Sequence, residues 1–288
     1  MNSLVEKVKG FANSMSRDLW RALKEIDMEF VGKNYINGVW SSKSERYYQK
    51  LNPATEQKLG SFPLTDDDTV GQAVAVAREK FHEWKRVSRF VRSNYMDNVA
   101  RILERRRDDV AKIISLETGK NYNESIAEVN EAIHMAQLAF ASGRYPHGEA
   151  VSSEIAEKDA YMLRKPKGVV AIVSPFNFPI AIGAFWCAAP AIVEGNTVVL
   201  KPSEDAPMSS QVALEIYEEA GLPAGVFNLI HGDGEVGDLL AKNDNVDHIC
   251  FTGSAEVGQH IRRVCADSWH KTCSCEMGSK SAVIVFDD

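Results

Sequence analysis

The spacing of apolar residues divides the chain into two textures. From Asp66 to about residue 140 the pattern is helical. Val70, Ala73, Val74, Ala77 and Phe81 share one face of a helix that opens on Asp66, Asp67 and Asp68, whose charge suits a helix start. Two or three further helices are predicted, roughly over residues 91–116 and 122–140. Upstream, Val5, Val8, Phe11, Leu19, Leu23 and Ile26 sit among Lys and Glu at loosely helical spacing, which predicts a surface helix within an N-terminal extension, residues 1–30. Residues 35–40 (YINGVW) predict an edge strand or hairpin around Asn37-Gly38, and Asn52-Pro53 marks a turn.

Near residue 160 the texture changes. Residues 168–174 (GVVAIVS) form a continuous apolar, β-rich run, the mark of a strand buried on both faces. Similar runs recur at 197–200, 226–230, 248–251 and 272–276, with helical patterns between them at 179–192, 209–219, 235–240 and 255–264. Strand and helix alternate every ~20 to 30 residues, which predicts right-handed βαβ crossovers and a parallel sheet. The expected fold is therefore α/β, a Rossmann-like parallel five-stranded sheet flanked by helices. Such sheets bind ligands beyond the carboxyl ends of their strands, so chemistry is expected just after each strand.

Composition narrows the class. Apolar content of 44% and charged content of 25% describe an ordinary globular chain, and a formal charge of −7 argues against nucleic acid or an anionic membrane as partner. The run Arg105, Arg106, Arg107 reads as a solvated helix face. The sequence predicts no membrane span and no secretory signal. Five cysteines without framework spacing point to a reducing, cytoplasmic setting and to no metal site.

Each strand end carries a candidate, and each also fits a structural role when taken alone. Ser174-Pro175-Phe176-Asn177-Phe178-Pro179 holds an amide donor, Asn177, on a stiff turn, which suits an oxyanion as well as it suits a tight bend. Lys201-Pro202-Ser203-Glu204 sets a lysine three residues before an acid, a pair able to meet ribose hydroxyls or merely to cap a surface. Gly232-Asp233-Gly234-Glu235-Val236-Gly237 matches G-x-G-x-x-G in form, but it follows the third strand of the series rather than the first, and Asp247 precedes the next strand. It reads better as a tight turn near an adenine than as the dinucleotide fingerprint. At Gly253-Ser254, followed by Gly258, a helix start offers free amides to a pyrophosphate, or Ser254 is an ordinary N-cap. Glu276, in EMGSK, is a general base or one surface glutamate among many.

In this order SPFNFP, KPSE, GDGEVG, FTGSAEVG and EMGSK, with YINGVW, NPAT and LETGK upstream, closely resemble the aldehyde dehydrogenase superfamily, from about Glu29 onward. The resemblance implies NAD as cofactor and an aldehyde, with a semialdehyde as the class named by general likeness, as substrate. A thiolate would attack the aldehyde, a hydride would pass to NAD, and water would release the acid. It implies Asn177 as oxyanion donor and Glu276 as activator of water. Lys201 and Glu204 would hold the adenosine ribose, and Ser254 the pyrophosphate, with Gly253 and Gly258 allowing its approach. Gly234 and Gly237 would shape the turn by the adenine, and backbone around Ser174, Pro175 and Phe176 would line the cleft. Phe176 stands where many members carry Trp, while Met277 and Ser279 replace the more usual Leu and Gly.

The resemblance divides the chain into an NAD-binding domain, residues 31–150 and 166–278, part of an oligomerisation hairpin at 151–165, and the start of a catalytic domain at 279–288 that opens on a strand at 281–286 (SAVIVF). Substrate choice would rest on helices near Met135 and Phe185. The family's nucleophilic cysteine lies well beyond the general-base glutamate, whereas twelve residues follow Glu276 here. Cys273 and Cys275, at i and i+2 of a strand, are expected to pack on one sheet face as small apolar residues rather than to replace it. The sequence thus predicts either the N-terminal part of an NAD-dependent enzyme or an inactive short form that binds NAD or joins full-length subunits in a homo-oligomer.

Overall fold

The computed structural model describes residues 29–279 and 281–286, so the helix expected within the N-terminal extension lies outside the described residues. The five apolar runs all form strands: β8 (Val169–Val173), β9 (Thr197–Lys201), β10 (Phe227–Leu229), β11 (His248–Gly253) and β12 (Thr272–Met277). Every pairing among them is parallel, in the order β12-β11-β8-β9-β10. The YINGVW segment makes the expected hairpin, β2 (Asn34–Ile36) and β3 (Val39–Ser41), with Asn37 and Gly38 both at positive φ, 51° and 79°. That is the primed turn whose twist matches its strands. The hairpin adds antiparallel to β10, so the parallel five gain two strands and the sheet is seven-stranded and mixed.

Helices cover both faces. On one face lie α2 (Arg89–Arg105), α3 (Arg107–Thr118), α4 (Tyr122–Ser142), a π-helical segment (Ala181–Cys187) running into α5 (Ala188–Val193), and α6 (Pro207–Glu219). On the other lie α1 (Asp67–Trp84), α7 (Gly234–Lys242) and α8 (Ala255–Ala266). Strand β8 supplies both layers by alternation: Val170 and Ile172 face the first, Val169 and Ala171 the second. Burial on two faces is why this run contains no polar residue. Helix α1 starts as expected, with Asp66 accepting from the Thr69 N–H at 2.8 Å.

Three strands, β1 (Phe30–Val31), β4 (Arg46–Leu51) and β5 (Lys58–Leu64), form a small separate sheet. A two-stranded arm, β6 (Gly148–Val151) and β7 (Ala160–Leu163), stands exposed; β7 falls within the hairpin expected at 151–165, while β6 begins three residues before it. One expectation fails. Residues 281–286 form no strand, and Val283, Ile284, Val285 and Phe286 are exposed, because no neighbouring strand among the described residues offers them hydrogen bonds. Among the described residues no helix is long and apolar enough to cross a membrane.

Candidate functional site

Because β8 to β12 run parallel, their carboxyl ends share one edge, where Val173 pairs with Lys201 and Gly253 with Met277. Ser174 leads off. Its N–H donates to the Lys201 carbonyl at 3.2 Å, while its hydroxyl is buried without a protein partner. A buried polar atom left so is costly unless something outside the chain satisfies it. Pro175 is half-buried, and Phe176, Asn177 and Phe178 are exposed beyond the edge.

The turn carrying Asn177 is held from behind. Glu128 of α4, buried, accepts from the Ile180 and Ala181 amides at 3.0 and 3.2 Å. Its other oxygen takes Lys120 Nζ at 2.6 Å, and the same ammonium donates to the Asn177 carbonyl and lies 4.1 Å from the centre of the Phe178 ring. A buried ion pair with its remaining donors used fixes backbone geometry. Neither residue was singled out from sequence. Lys120 lies in LETGK, but Glu128 gave only the faint signal of an acid within an apolar helical stripe. Glu117 of LETGK is structural in the same way: wholly buried, it accepts from the Met208 and Ser209 amides at 2.7 and 2.9 Å and so caps α6. Burial pushes its carboxyl up to about 7.

Lys201, Glu204, Gly234 and Gly237 come together. Lys201 Nζ donates to the Asp233 carbonyl at 2.9 Å and stands 3.4 Å from Glu204 Oε2. Burial of the ammonium lowers its pKa, opposed by Glu204. Asp233 caps α7 by accepting from Glu235 and Val236, making Gly234 the first helical residue. Gly237 lies a turn further on, where a β-carbon would stand 3.7 Å from Lys201 Cδ. The one left-handed residue of this loop is Gly232, at φ +157°, so the conformational demand in the motif sits there rather than at Gly234.

At the next strand end Ser254 caps α8, accepting from the Val257 N–H at 3.3 Å. The following amides begin the helix and lack intrahelical acceptors. Gly258 packs closely on β12: a β-carbon there would lie 2.5 Å from Met277 Sδ, so a larger residue would have to displace the Met277 side chain. A β-carbon at Gly253 would likewise stand 2.6 Å from the Phe251 ring. Glu276 of β12 is exposed beside Thr252. It lies two strands from β8, which at ~4.8 Å per strand is about 10 Å, on the sheet face that also carries the segment following Asn177.

The five cysteines are free thiols, and none lies in these edge loops. Among the described residues no cluster of His, Cys, Asp and Glu fits a metal ion. The edge can hold an anion at the start of α8, hydroxyls between Lys201 and Glu204, and a hydrogen-bonding group at Ser174.

The family model described as "Aldehyde dehydrogenase family" matches residues 40–288. A malonate-semialdehyde dehydrogenase from Bacillus velezensis is 34% identical over 257 residues, covering 89% of this chain and 52% of that protein. A crystal structure of an NAD-dependent aldehyde dehydrogenase from Sinorhizobium meliloti matches with TM-score 0.84 and 33% identity, over 88% of this chain and 51% of that one. A betaine aldehyde dehydrogenase from Staphylococcus aureus in complex with NAD+ matches with TM-score 0.82 and 28% identity, over 91% and 52%. The chain spans about half the length of these relatives. With the strand-end motifs lined along one sheet edge and the family model covering most of its length, the chain belongs to the aldehyde dehydrogenase family.

Proposed function

We propose that this chain binds NAD along the carboxyl edge of its parallel sheet and serves the NAD-dependent oxidation of an aldehyde, with a semialdehyde as the favoured class. The juxtaposition that carries the reading is the α8 start at Ser254 on the same edge as Lys201 and Glu204. The S. aureus relative in complex with NAD+ supports the cofactor, and the malonate-semialdehyde dehydrogenases support the substrate class. Ser254 and the amides after it receive the diphosphate, and Gly253 and Gly258 seat the start of α8 against Phe251 and Met277. Lys201 donates to a ribose oxygen, while Glu204 accepts from the ribose hydroxyls and repels a 2′-phosphate. Gly234 and Gly237 border the adenine, and Ser174, Pro175 and Phe176 line the cleft. Bound NAD supplies the hydride acceptor. Asn177 donates its amide to the oxygen that gains charge when a thiolate adds to the aldehyde, and Glu276 takes the proton of the water that frees the acid.

That all five cysteines pack in the helix-covered faces of the sheet supports a thiolate other than these five. We therefore expect the 288-residue polypeptide alone to form no NADH with aldehydes. The exposed β6–β7 arm, with Tyr161, Met162 and Leu163 outward, favours pairing with further subunits, and free thiols favour the cytoplasm. Calorimetry with NAD tests the site. Binding in the high micromolar range or weaker is expected, lost on Ser254→Asp, with NAD-over-NADP preference reduced ~tenfold by Glu204→Gln. Undiminished binding by Ser254→Asp would overturn the placement, and NADH formed from an aldehyde panel would overturn the exclusion of the five thiols.

A further inference from the structure

Helices α7 and α8 pack side by side on one face of the sheet, and their starts are the two given above to the adenine and the diphosphate. Beneath them Val236, Leu240, Ile261 and Cys265 are buried in one apolar cluster. Among the described residues one side-chain hydrogen bond crosses from helix to helix, His260 Nε2 standing 2.7 Å from Asp238 Oδ1. The other carboxylate oxygen takes Lys242 Nζ, one turn along α7, at 2.6 Å. Burial works against the charge on Asp238, but the hydrogen bonds from Lys242 and His260 outweigh it and hold the carboxyl below its usual range. An ionised carboxylate only accepts, so His260 Nε2 carries the ring proton.

Between this bridge and the sheet edge the two helices present little bulk. A β-carbon at Gly234 would meet nothing within 4 Å, and one at Gly237 only Lys201 Cδ, at 3.7 Å. Gly234 and Asp238 lie one turn apart on the same face of α7. On α8, Val257 precedes His260 by three positions, shares its face and is exposed. Bare glycine on one helix and an open valine on the other leave room for a flat ring. His260 lies six residues past Ser254, about 9 Å along the helix axis, comparable to the reach of a nucleoside base from its own diphosphate.

We propose that Asp238 and His260 read the base of the dinucleotide, with Asp238 as the specificity-determining acceptor. This rests on the NAD reading above and extends it to the purine. The exocyclic amine of adenine donates to Asp238, whose oxygens each keep a lone pair beyond those used by His260 and Lys242. His260, held by the same carboxylate, borders the ring, and Val257 takes its face. A base with a carbonyl in place of that amine, as in hypoxanthine, sets oxygen against carboxylate and is disfavoured. The ligand class is thus an adenine nucleoside diphosphate.

The full chain is titrated calorimetrically with NAD and with its deaminated analogue, nicotinamide hypoxanthine dinucleotide. The parent should bind NAD ~tenfold more tightly than the analogue. Asp238→Ala should bring the two within about twofold, chiefly by weakening NAD. Asp238→Asn, which adds a donor, should bind the analogue more tightly than the parent chain does. A merely structural role would move both ligands together. The pair is exposed and adds little to stability, so thermal midpoints of the variants should stay with the parent's. Equal affinity of the parent for both dinucleotides, or a preference that survives Asp238→Ala, would overturn the base reading while leaving NAD binding in place. No heat with either dinucleotide would overturn the NAD reading and this inference with it.

Discussion

Glu128 and Lys120 show how much one ion pair fixes. Between them they hold two amides and one carbonyl of the turn that presents Asn177. Lys120→Met would leave a buried carboxylate without its cation, and a loss of about 3–5 kcal/mol in urea unfolding is expected. Glu128→Gln, which keeps an acceptor for the amides, should lose less. The opposite order would mean that the amides, not the charge, secure the turn. Glu117 offers a pH test. Its carboxyl is raised in the folded chain from an ordinary 4.5 to about 7, mainly by burial. The folded state therefore holds a proton that the unfolded state has released across that window. The stabilisation is complete below about 4.5 and lost as pH rises through about 7, some ~3 kcal/mol. His231, buried and lowered from 6.5 to about 3, has the reverse slope: its contribution is full above 6.5 and lost as pH falls toward 3. The two oppose each other where they overlap. Stability of Glu117→Gln relative to the parent isolates the first, and that difference should grow by ~3 kcal/mol from about pH 4 to about pH 8. A flat difference would show that Glu117 titrates alike in the folded and unfolded chain.

At the scale of elements, α8 is the helix on which most depends. Ser254→Ala removes a cap and should cost about 1 kcal/mol. Gly258→Val forces a side chain into Met277 and should cost about 1–3 kcal/mol, read as a lower midpoint in thermal unfolding. If Gly258→Val were neutral, α8 would not press on β12 as described. Strands and glycine-bearing turns of this kind were legible in the sequence because burial on two faces leaves unbroken apolar runs. Boundaries that depend on one residue were not. Over residues 91–116 the periodicity left one helix or two open, and the division falls at Arg106, whose backbone at φ −96°, ψ 7° ends α2 and begins α3. Likewise the segment before Pro190 read as ordinary helix and proved π-helical, with Ala188 N–H reaching the Gly183 carbonyl. Apolar periodicity does not distinguish a wider turn where every side is buried. Residues 281–286 failed for another reason, since a strand exists only where a partner does. The edge motifs were readable as a set and in order, but the role of Glu128 depends on contacts between distant segments.

At the scale of the molecule, the charged and apolar surfaces are kept apart. The arginine run is spent within the chain, with Arg105 and Arg106 meeting Glu215 and Glu219 of α6, which accords with a solvated face. The β6–β7 arm is instead apolar outward. Replacing Tyr161 and Leu163 by Ser should shift sedimentation of concentrated protein toward the monomer, and an unchanged profile would remove the arm from self-association. The hairpin β2–β3 has a different consequence. Its turn is anchored by the Asn37 amide on the Asn228 side chain, 191 positions later, and Asn34 accepts from the His231 amide. The ribosome makes this hairpin well before its seat on β10, which follows only after a further ~10–40 s of synthesis at 5–20 residues per second. The sheet is thus joined by residues made far apart in time, and any chaperone that shields nascent aromatic segments has Tyr35 and Trp40 to hold through that interval.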